Sequence, residues 1–465
     1  MEYAFAEDER GTWVKAESKR GSRRAFLRAG GLIATGGGLG SLCAVWSARK
    51  PRTLSGKREW WIKTVSTPTL ADTTAAFGRF SGNDMFVLYP QLKSQNEGKG
   101  AFEAEQASKQ KRSVQWTAER KPGYSLADRQ LGGGAWTVMH TARPGAGLLS
   151  WTRISVRTPA DLGIPKYSAS PEEAAATVKT AARFYGAGLV GIAAMNEAYV
   201  NLLQPPDDPK DKSKDIVFED VEIPQVTDSK FVVPKKMGWV IAIAIPMDLD
   251  LLSRTPSPLG DAASALGYSH LAFVASSVAE FIRGLGYQAI PCVNDTAQSI
   301  PFAIDAGIGE LGRLNKLVTP EYGPAVRLCK IFTDLPMACD KPIDFGLVEF
   351  CKRCKKCAEA CPSRALSFDD QPNHKTKGPW NNEGHKAWFE DSYKCFQYWQ
   401  KTDSACGVCL SCCPYSKGDK AWIHDGVKAA TAVLPATDGA FRALDDAFGY
   451  GKQRNPEQWW KERRG

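Results

Sequence analysis

The chain has 465 residues, of which 43% are apolar and 24% charged, as expected for a folded globular protein of about two or three domains. Its formal net charge is +9, but Lys and Arg form no dense stripe, so the sequence argues against nucleic-acid binding. Nine of the thirteen cysteines lie between Cys351 and Cys413. A disulfide framework would spread its cysteines over the loops of a small chain, so this clustering indicates metal instead.

The N-terminus has the pattern of an export signal. Residues 22–27 read Ser-Arg-Arg-Ala-Phe-Leu, the form of a twin-arginine signal, and a Gly-rich, weakly apolar run follows from 29 to about 45. This run is too short and too rich in Gly for a membrane span, which needs about 20 apolar residues. We predict a signal peptide over 1–48, with Ala44 and Ala48 as candidate cleavage positions. The alternative is a basic disordered tail. Because the twin-arginine route exports folded proteins, the signal and the cysteine cluster together imply export of a chain already loaded with metal.

The middle of the chain alternates between helix and strand patterns. Residues 49–165 form an N-terminal region with few periodic segments, and a regular pattern begins at Ser170, where Ser-Pro-Glu-Glu is a capping box. Apolar periodicity predicts two helices and three strands after it. The helices are expected at 171–185 and 268–285, and the strands at 189–194, 239–246 and 287–291. We therefore predict an α/β core over 166–338 with a polar insertion at about 201–235.

One glycine motif in this core suggests a nucleotide site. Residues 307–312 fit Gly-x-Gly-x-x-Gly, which in dinucleotide-binding folds follows a strand and opens a helix. The preceding residues 301–306 are a poor strand, and no complete βαβ unit surrounds them. The dinucleotide interpretation is therefore not favoured.

The cysteine-rich segment, predicted as a domain over 339–425, carries two ferredoxin motifs. The first is Cys351-x2-Cys354-x2-Cys357-x3-Cys361-Pro, the bacterial run in which the fourth thiolate binds the other cluster. The second has the same ending but a longer first spacing. Its cysteines are Cys395, Cys406, Cys409 and Cys413.

The crossover rule assigns the ligands of two [4Fe–4S] clusters. Three ligands of each cluster come from one motif and the fourth from the other. The first cluster takes Cys351, Cys354, Cys357 and Cys413, and the second takes Cys395, Cys406, Cys409 and Cys361. Cys412 is the alternative to Cys413, which we prefer because it keeps the x3 spacing and precedes Pro. A zinc ribbon does not have this spacing. The isolated Cys43, Cys292, Cys329 and Cys339 are expected to be small core residues.

With these features the chain resembles the respiratory corrinoid-dependent reductive dehalogenases, in particular the tetrachloroethene type. The resemblance rests on the signal at 22–27, the double-cluster segment and local matches such as Thr-Ala-Ala-Arg-Phe-Tyr-Gly at 180–186 and Lys-Pro-Ile-Asp-Phe-Gly at 341–346. It implies a nitroreductase-like α/β core that binds a cobalamin-type corrinoid with no lower base on cobalt. The chain accordingly has no Asp-x-His-x-x-Gly motif.

The resemblance also implies roles for individual residues. Tyr268 matches the family's proton donor and Arg327 the basic residue beside it, while Asn294 matches a polar pocket residue. Trp136 and Trp399 match aromatic walls of the halocarbon pocket, and Gly307 and Gly309 lie where the family's backbone approaches the corrinoid. Free tyrosine has a pKa near 10, so a neighbouring guanidinium that stabilises the phenolate would make it a better acid.

The implied activity is reductive removal of halide from an organohalide, in anaerobic organohalide respiration. Electrons would pass through the two clusters to the corrinoid. The expected location is the outer face of the cytoplasmic membrane, with a small integral-membrane anchor protein and a membrane electron donor as partners; a homodimer is possible. Two alternatives stay open: an enzyme similar to epoxyqueuosine reductase, and an electron-transfer subunit that holds clusters only.

Overall fold

A computed structural model describes residues 5–7, 13–15, 59–70, 85–195, 215–417, 423–434 and 438–463. The predicted signal motif at 22–27 and Cys43 lie outside these residues. The chain divides into a unit of residues 1–59 and a unit of residues 60–465. In the first unit, strand β1 (Phe5–Glu7) pairs antiparallel with β2 (Trp13–Lys15). All elements below belong to the second unit.

The region before the core is helical where the sequence showed little periodicity. It contains α1 (Met85–Glu97), α2 (Ala101–Ala118), α3 (Leu126–Thr141) and α4 (Pro159–Leu162). No residue of α2 is buried, so this helix needs no apolar stripe. Helix α3 continues through three consecutive glycines, and a Cβ on Gly132 would lie 3.7 Å from the carbonyl oxygen of Pro258. Small residues therefore let α3 pack closely on the next long helix.

The core is a four-stranded antiparallel sheet. Its strands stand in the order β4 (Leu189–Ala194), β8 (Trp239–Pro246), β12 (Val326–Thr333) and β9 (Ala289–Cys292). Both faces are buried, and alternate residues join two different apolar clusters, as the period of a strand requires. Cys329 and Ile331 lie on one face and Phe332 on the other. The predicted mixed α/β core is confirmed, and its strand pairs are all antiparallel.

Two helices cover the first face of this sheet. Helix α5 (Pro171–Phe184) begins at the predicted capping box, and α7 (Pro258–Gly284) begins after Ser257, whose hydroxyl accepts a hydrogen bond from the Gly260 backbone N–H. Among the described helices, α7 alone is long and apolar enough to span a membrane. Most of it is buried against the sheet, which is the setting of a core helix.

The other face carries short elements that join the core to the cysteine-rich segment. These are β3 (Lys63–Thr64) paired with β13 (Ile343–Asp344), α8 (Ser299–Asp305), and the hairpin of β10 (Glu310–Leu311) and β11 (Leu317–Val318). Helix α6 (Leu249–Leu252) instead packs against the start of α7 in a separate apolar cluster. The described part of the predicted insertion is a small sheet of β5 (Asp215–Glu219), β7 (Lys230–Pro234) and β6 (Gln225–Val226). Residues 201–214 lie outside the described ranges.

The C-terminal part is helical. The cysteine motifs lie on or next to four short helices: α9 (Leu347–Cys354), α10 (Lys356–Ala360), α11 (Ser392–Thr402) and α12 (Val408–Cys412). Helices α13 (Ile423–Val433), α14 (Asp438–Ala447) and α15 (Glu457–Arg463) follow. Helix α14 packs against α9, and Arg442 on it donates a hydrogen bond to the backbone carbonyl of Cys354.

Candidate active site and cluster-binding cysteines

The hydroxyl of Tyr268 is the meeting point of two side chains from other parts of the core. Arg327 donates to it from Nη1 at 3.2 Å, and Asn294 donates from Nδ2 at 2.8 Å. The Arg327 guanidinium carbon also lies 4.5 Å from the centre of the Tyr268 ring. Tyr268 comes from α7, Arg327 from β12 and Asn294 from the loop after β9, so the order of the sheet brings the three together. Two donors aimed at a phenol oxygen stabilise its deprotonated form.

Arg327 is itself held by α7. Its Nη2 donates to Ser264 Oγ at 2.7 Å, one helical turn before Tyr268. Asp261 lies one turn earlier; burial raises the pKa of its carboxyl to about 6, and the charge of Arg327 partly opposes that rise. Ser264 and Asp261 were not found from the sequence. Both lie in the first turns of α7, which begins at Pro258 and is therefore ten residues longer at its N-terminus than predicted.

A stack of three rings forms one side of this site. The Trp136 indole lies over the Tyr268 ring, with centres 5.2 Å apart and planes 20° apart. The indole also stacks with the His140 ring, at 5.6 Å and 6°. Trp136 and His140 are one turn apart on α3. The wall role predicted for Trp136 is therefore compatible with its position, and His140 is an addition that sequence reasoning missed.

A buried lysine fixes the loop that carries Asn294. The side chain of Lys330 is fully buried, and its Nζ donates to the carbonyl oxygens of Val293 and Asp295 at 2.8 Å each and to Ser299 Oγ at 3.2 Å. Lys330 and Arg327 belong to the same strand, β12. Strand β12 thus supplies Arg327, one of the two donors to Tyr268, and through Lys330 it holds the loop that carries the other donor, Asn294.

Trp399 lies in a different aromatic group. It is on α11, one turn after Cys395, and its ring packs against Phe396 with centres 5.7 Å apart. Its indole Nε1 is buried and has no hydrogen-bond partner among the described residues. Its role in a halocarbon pocket stays a prediction.

Four cysteines of the two motifs surround one small cavity. Cys351, Cys354, Cys357 and Cys413 all line it, together with Arg313 and Tyr415. Cys412 does not line the cavity; its thiol donates to the carbonyl oxygen of Cys409 at 3.7 Å. The structure thus brings together the four cysteines that the crossover rule assigns to one cluster, and their role as its ligands stays a prediction.

The other four predicted ligands also lie near one another. Burial raises the pKa of the Cys395 thiol, and the charges of Glu390, Cys406 and Cys361 raise it further after partial opposition from Lys316. The pKa of Cys406 is raised to about 11 by burial, with Cys361 adding to it. Burial also raises the pKa of the Cys409 thiol, and the charges of Cys406 and Cys395 raise it further. Cys361, from the first motif, thus sits among the cysteines of the second.

The first set of cysteines fits a polynuclear cluster. In the described residues, no three His, Cys, Asp or Glu side chains could hold a single metal ion. Four thiols spaced around a cavity are the arrangement that a cubane requires. Burial raises the pKa of Cys351 and, to about 11, that of Cys354, so these thiols are protonated at neutral pH unless a metal binds them. Cys292 and Cys329 are buried in the core as expected, whereas Cys339 is exposed.

The glycine motif at 307–312 has a structural explanation. It follows helix α8 and enters the hairpin of β10, so the strand that a dinucleotide motif needs is absent from this position. Gly307 has φ +64°, which favours glycine, and a Cβ on Gly309 would lie 2.2 Å from the carbonyl oxygen of Val318. Packing inside the hairpin accounts for Gly309, and contact of either glycine with a corrinoid stays a prediction.

Comparisons with known proteins give matches to both the core that carries Tyr268 and the cysteine-rich segment. The family model for a reductive dehalogenase subunit matches residues 57–337, and the model for a 4Fe-4S double cluster binding domain matches residues 350–416. The tetrachloroethene reductive dehalogenase of Sulfurospirillum multivorans is 37% identical over 361 residues, which cover 73% of this chain and 71% of that protein. The tetrachloroethene reductive dehalogenase of Dehalobacter restrictus is 35% identical over 338 residues, 67% of this chain and 60% of that protein.

A solved structure shares the fold. It is a reductive dehalogenase whose structure suggests a mechanism for B12-dependent dehalogenation; it superposes with a TM-score of 0.61 at 23% identity and covers 86% of this chain. The chain spans half of that protein's length. By contrast, the epoxyqueuosine reductase of Lactococcus garvieae is 29% identical over 158 residues, only 32% of this chain and 42% of that protein. The match to an epoxyqueuosine reductase is thus distant.

Proposed function

Since the chain belongs to the reductive dehalogenase family and carries a double-cluster domain, we propose that it removes halide reductively from an organohalide. The observation that carries this proposal is the convergence of Arg327 and Asn294 on the hydroxyl of Tyr268. A phenol held by two donors next to an aromatic wall is suited to giving a proton to an apolar substrate. We propose a chlorinated ethene as the substrate because the curated relatives named above act on tetrachloroethene.

The proposed cofactor is a base-off corrinoid, which would supply the electrons that break the carbon–halogen bond. Beside Tyr268, Arg327 Nε is a buried donor without a partner among the described residues, and it is suited to an amide oxygen of such a group. The cysteine sets would hold the two clusters that pass single electrons to it.

Each residue near Tyr268 has a defined task in this proposal. Tyr268 gives the proton on its phenol oxygen, and Arg327 stabilises the phenolate that remains. Asn294 keeps the oxygen in one position, and Trp136 offers a polarizable, dry surface to the halocarbon. A site that excludes water also strengthens the interaction between Arg327 and the phenolate.

We further propose that the protein is exported by the twin-arginine route and works on the outer face of the cytoplasmic membrane. The motif at 22–27 supports export of a folded, cluster-loaded chain. A small integral-membrane anchor protein and a membrane electron donor would then be its partners.

Metal content is the first test. Purified without oxygen, the protein should contain about eight irons and one cobalt per chain. It should then release halide from tetrachloroethene with reduced methyl viologen as the electron donor. Eight irons without cobalt, after reconstitution with a corrinoid has been tried, would leave an electron-transfer protein and overturn the proposal. Turnover of an epoxyqueuosine-containing tRNA in place of halocarbons would favour the alternative enzyme.

A further inference from the structure

Arg313 is a buried cation next to the first cysteine set. Arg313 lies in the turn between β10 and β11, is 1% exposed, and lines the same cavity as Cys351, Cys354, Cys357 and Cys413. Among the described residues its guanidinium forms no ion pair with a carboxylate, and the charges of Asp369 and Asp370 act on it only from beyond ion-pair distance. Its hydrogen bonds go to neutral carbonyl oxygens instead.

These carbonyls hold the guanidinium in place without neutralising it. Nε donates to the carbonyl of Cys351 at 2.9 Å, and Nη1 donates to those of Ser367 and Asp369 at 2.8 Å each. The Trp388 ring lies beneath the guanidinium, 4.8 Å from its carbon to the ring centre. A buried charge is costly unless an opposite charge is near, so this arrangement calls for an anion in the adjacent cavity.

The neighbouring cations differ from Arg313 in having carboxylate partners. Lys356 pairs with Asp445 at 2.5 Å, and Lys417 pairs with the same carboxylate. Arg442 pairs with Glu359. Each of these cations therefore has a carboxylate partner, which Arg313 lacks among the described residues.

The second cysteine set shows the contrasting case. Its nearby lysine, Lys316, pairs with Glu390 at 2.5 Å. Both sets are expected to hold a cubane with four thiolates, which carries a net negative charge and becomes more negative when it takes up one electron. A neighbouring positive charge stabilises the reduced form more than the oxidised form.

We propose that Arg313 is the buried counter-ion of the cluster held by Cys351, Cys354, Cys357 and Cys413, and that its charge raises the midpoint potential of that cluster. This inference uses the cluster domain and not the dehalogenation chemistry. A protein that shows the effect of Arg313 but no halocarbon turnover would refute the proposed function alone.

The test is a redox titration followed by electron paramagnetic resonance on the full-length protein with both clusters. In Arg313→Gln the equilibrium constant for reduction of one cluster should fall about tenfold, which is about 59 mV for a one-electron couple. The other cluster should not shift. Arg313→Lys keeps the charge and should stay close to the wild type. A Cys413→Ser variant identifies which signal belongs to the affected cluster.

A matched control is available in the core. Arg283 is also buried; it donates to the carbonyls of Ser150 and Ala289 and pairs with Glu280 at 2.8 Å, so its hydrogen bonds involve neither cysteine set. Arg283→Gln should move neither midpoint potential. An unchanged midpoint potential in Arg313→Gln with full iron content would overturn the proposal. Equal shifts in the Gln and Lys variants would also overturn it, because they would show that lost hydrogen bonds and not the lost charge change the potential. If the Gln variant loses iron from this site, retention by the Lys variant supports the proposal and loss from both refutes it.

Discussion

Replacing Tyr268 with Phe removes one oxygen atom and leaves the ring in its stack. Trp136 keeps its partner 5.2 Å away, and Arg327 keeps its position over the ring face. The two hydrogen bonds from Arg327 and Asn294 are lost, at about 0.5–1.5 kcal/mol each. Asn294 is exposed and can bond to water, so the total loss in unfolding free energy should be about 1–2 kcal/mol.

The loss in rate should be much larger than this structural effect. General acid catalysis contributes about 10²–10⁴-fold, which corresponds to about 2.7–5.4 kcal/mol of activation free energy. We expect halide release with reduced methyl viologen to fall by that factor in Tyr268→Phe, with iron and cobalt contents unchanged.

Tyr287→Phe is the control for this experiment. Tyr287 is a half-buried tyrosine of the same core, and its hydroxyl donates to the carbonyl of Tyr167 at 2.9 Å. Its variant should lose a similar amount of stability per hydrogen bond and retain turnover. If Tyr268→Phe turns over within threefold of the wild type, about 0.7 kcal/mol by the same relation, the proton comes from another group and the role of Tyr268 is wrong.

Three other changes test separate parts of the structure. Cys413→Ser should alter the resonance signal of one cluster, and Cys412→Ser should leave both signals intact; the reverse result would show that the ligand was wrongly chosen. Lys330→Met leaves two buried carbonyls without their donor, so unfolding free energy from denaturant titration should fall by about 2–4 kcal/mol, and a change below 0.5 kcal/mol would contradict the bonds seen here. Burial raises the pKa of the Glu310 carboxyl to about 7, so its contribution favours the folded state at low pH and is lost as pH rises from about 4.5 through 7. Glu310→Gln should flatten the stability profile in that window, and an unchanged slope would show that Glu310 ionises freely.

Local rules succeeded where a short stretch of sequence decides the structure. The capping box at Ser170 placed α5 correctly because its hydrogen bonds join residues three positions apart. The cysteine spacing grouped Cys351, Cys354, Cys357 and Cys413, which line one cavity in the structure, since the loop geometry of a ferredoxin motif is encoded by spacing. Their role as ligands stays a prediction. In these places few distant contacts compete with the local preference.

Prediction failed where packing overrides local preference. Helix α7 begins at Pro258 and not near Tyr268, because its first turns contain Gly260 and other small residues that fit only against their neighbours. A Cβ on Gly260 would lie 2.5 Å from the Thr255 backbone nitrogen. Ser264 was missed as a partner of Arg327 for this reason. The contact of Tyr268 with Arg327 spans 59 positions in the chain, so it depends on strand order and cannot be read from spacing.

The side chains around Tyr268 come from elements that differ in how deeply they are buried in the core. Tyr268 lies on a buried core helix and Arg327 on a central strand, where a change in backbone position would disturb the whole sheet. Trp136 and His140 lie on α3, a helix on which Asp128 is the single buried residue. Selection for a new halocarbon can therefore act on the exposed positions of α3 with little penalty to proton delivery, provided that Gly132 and Trp136, which pack on α7, are kept. For engineering, libraries confined to those exposed positions offer a route to altered substrate range.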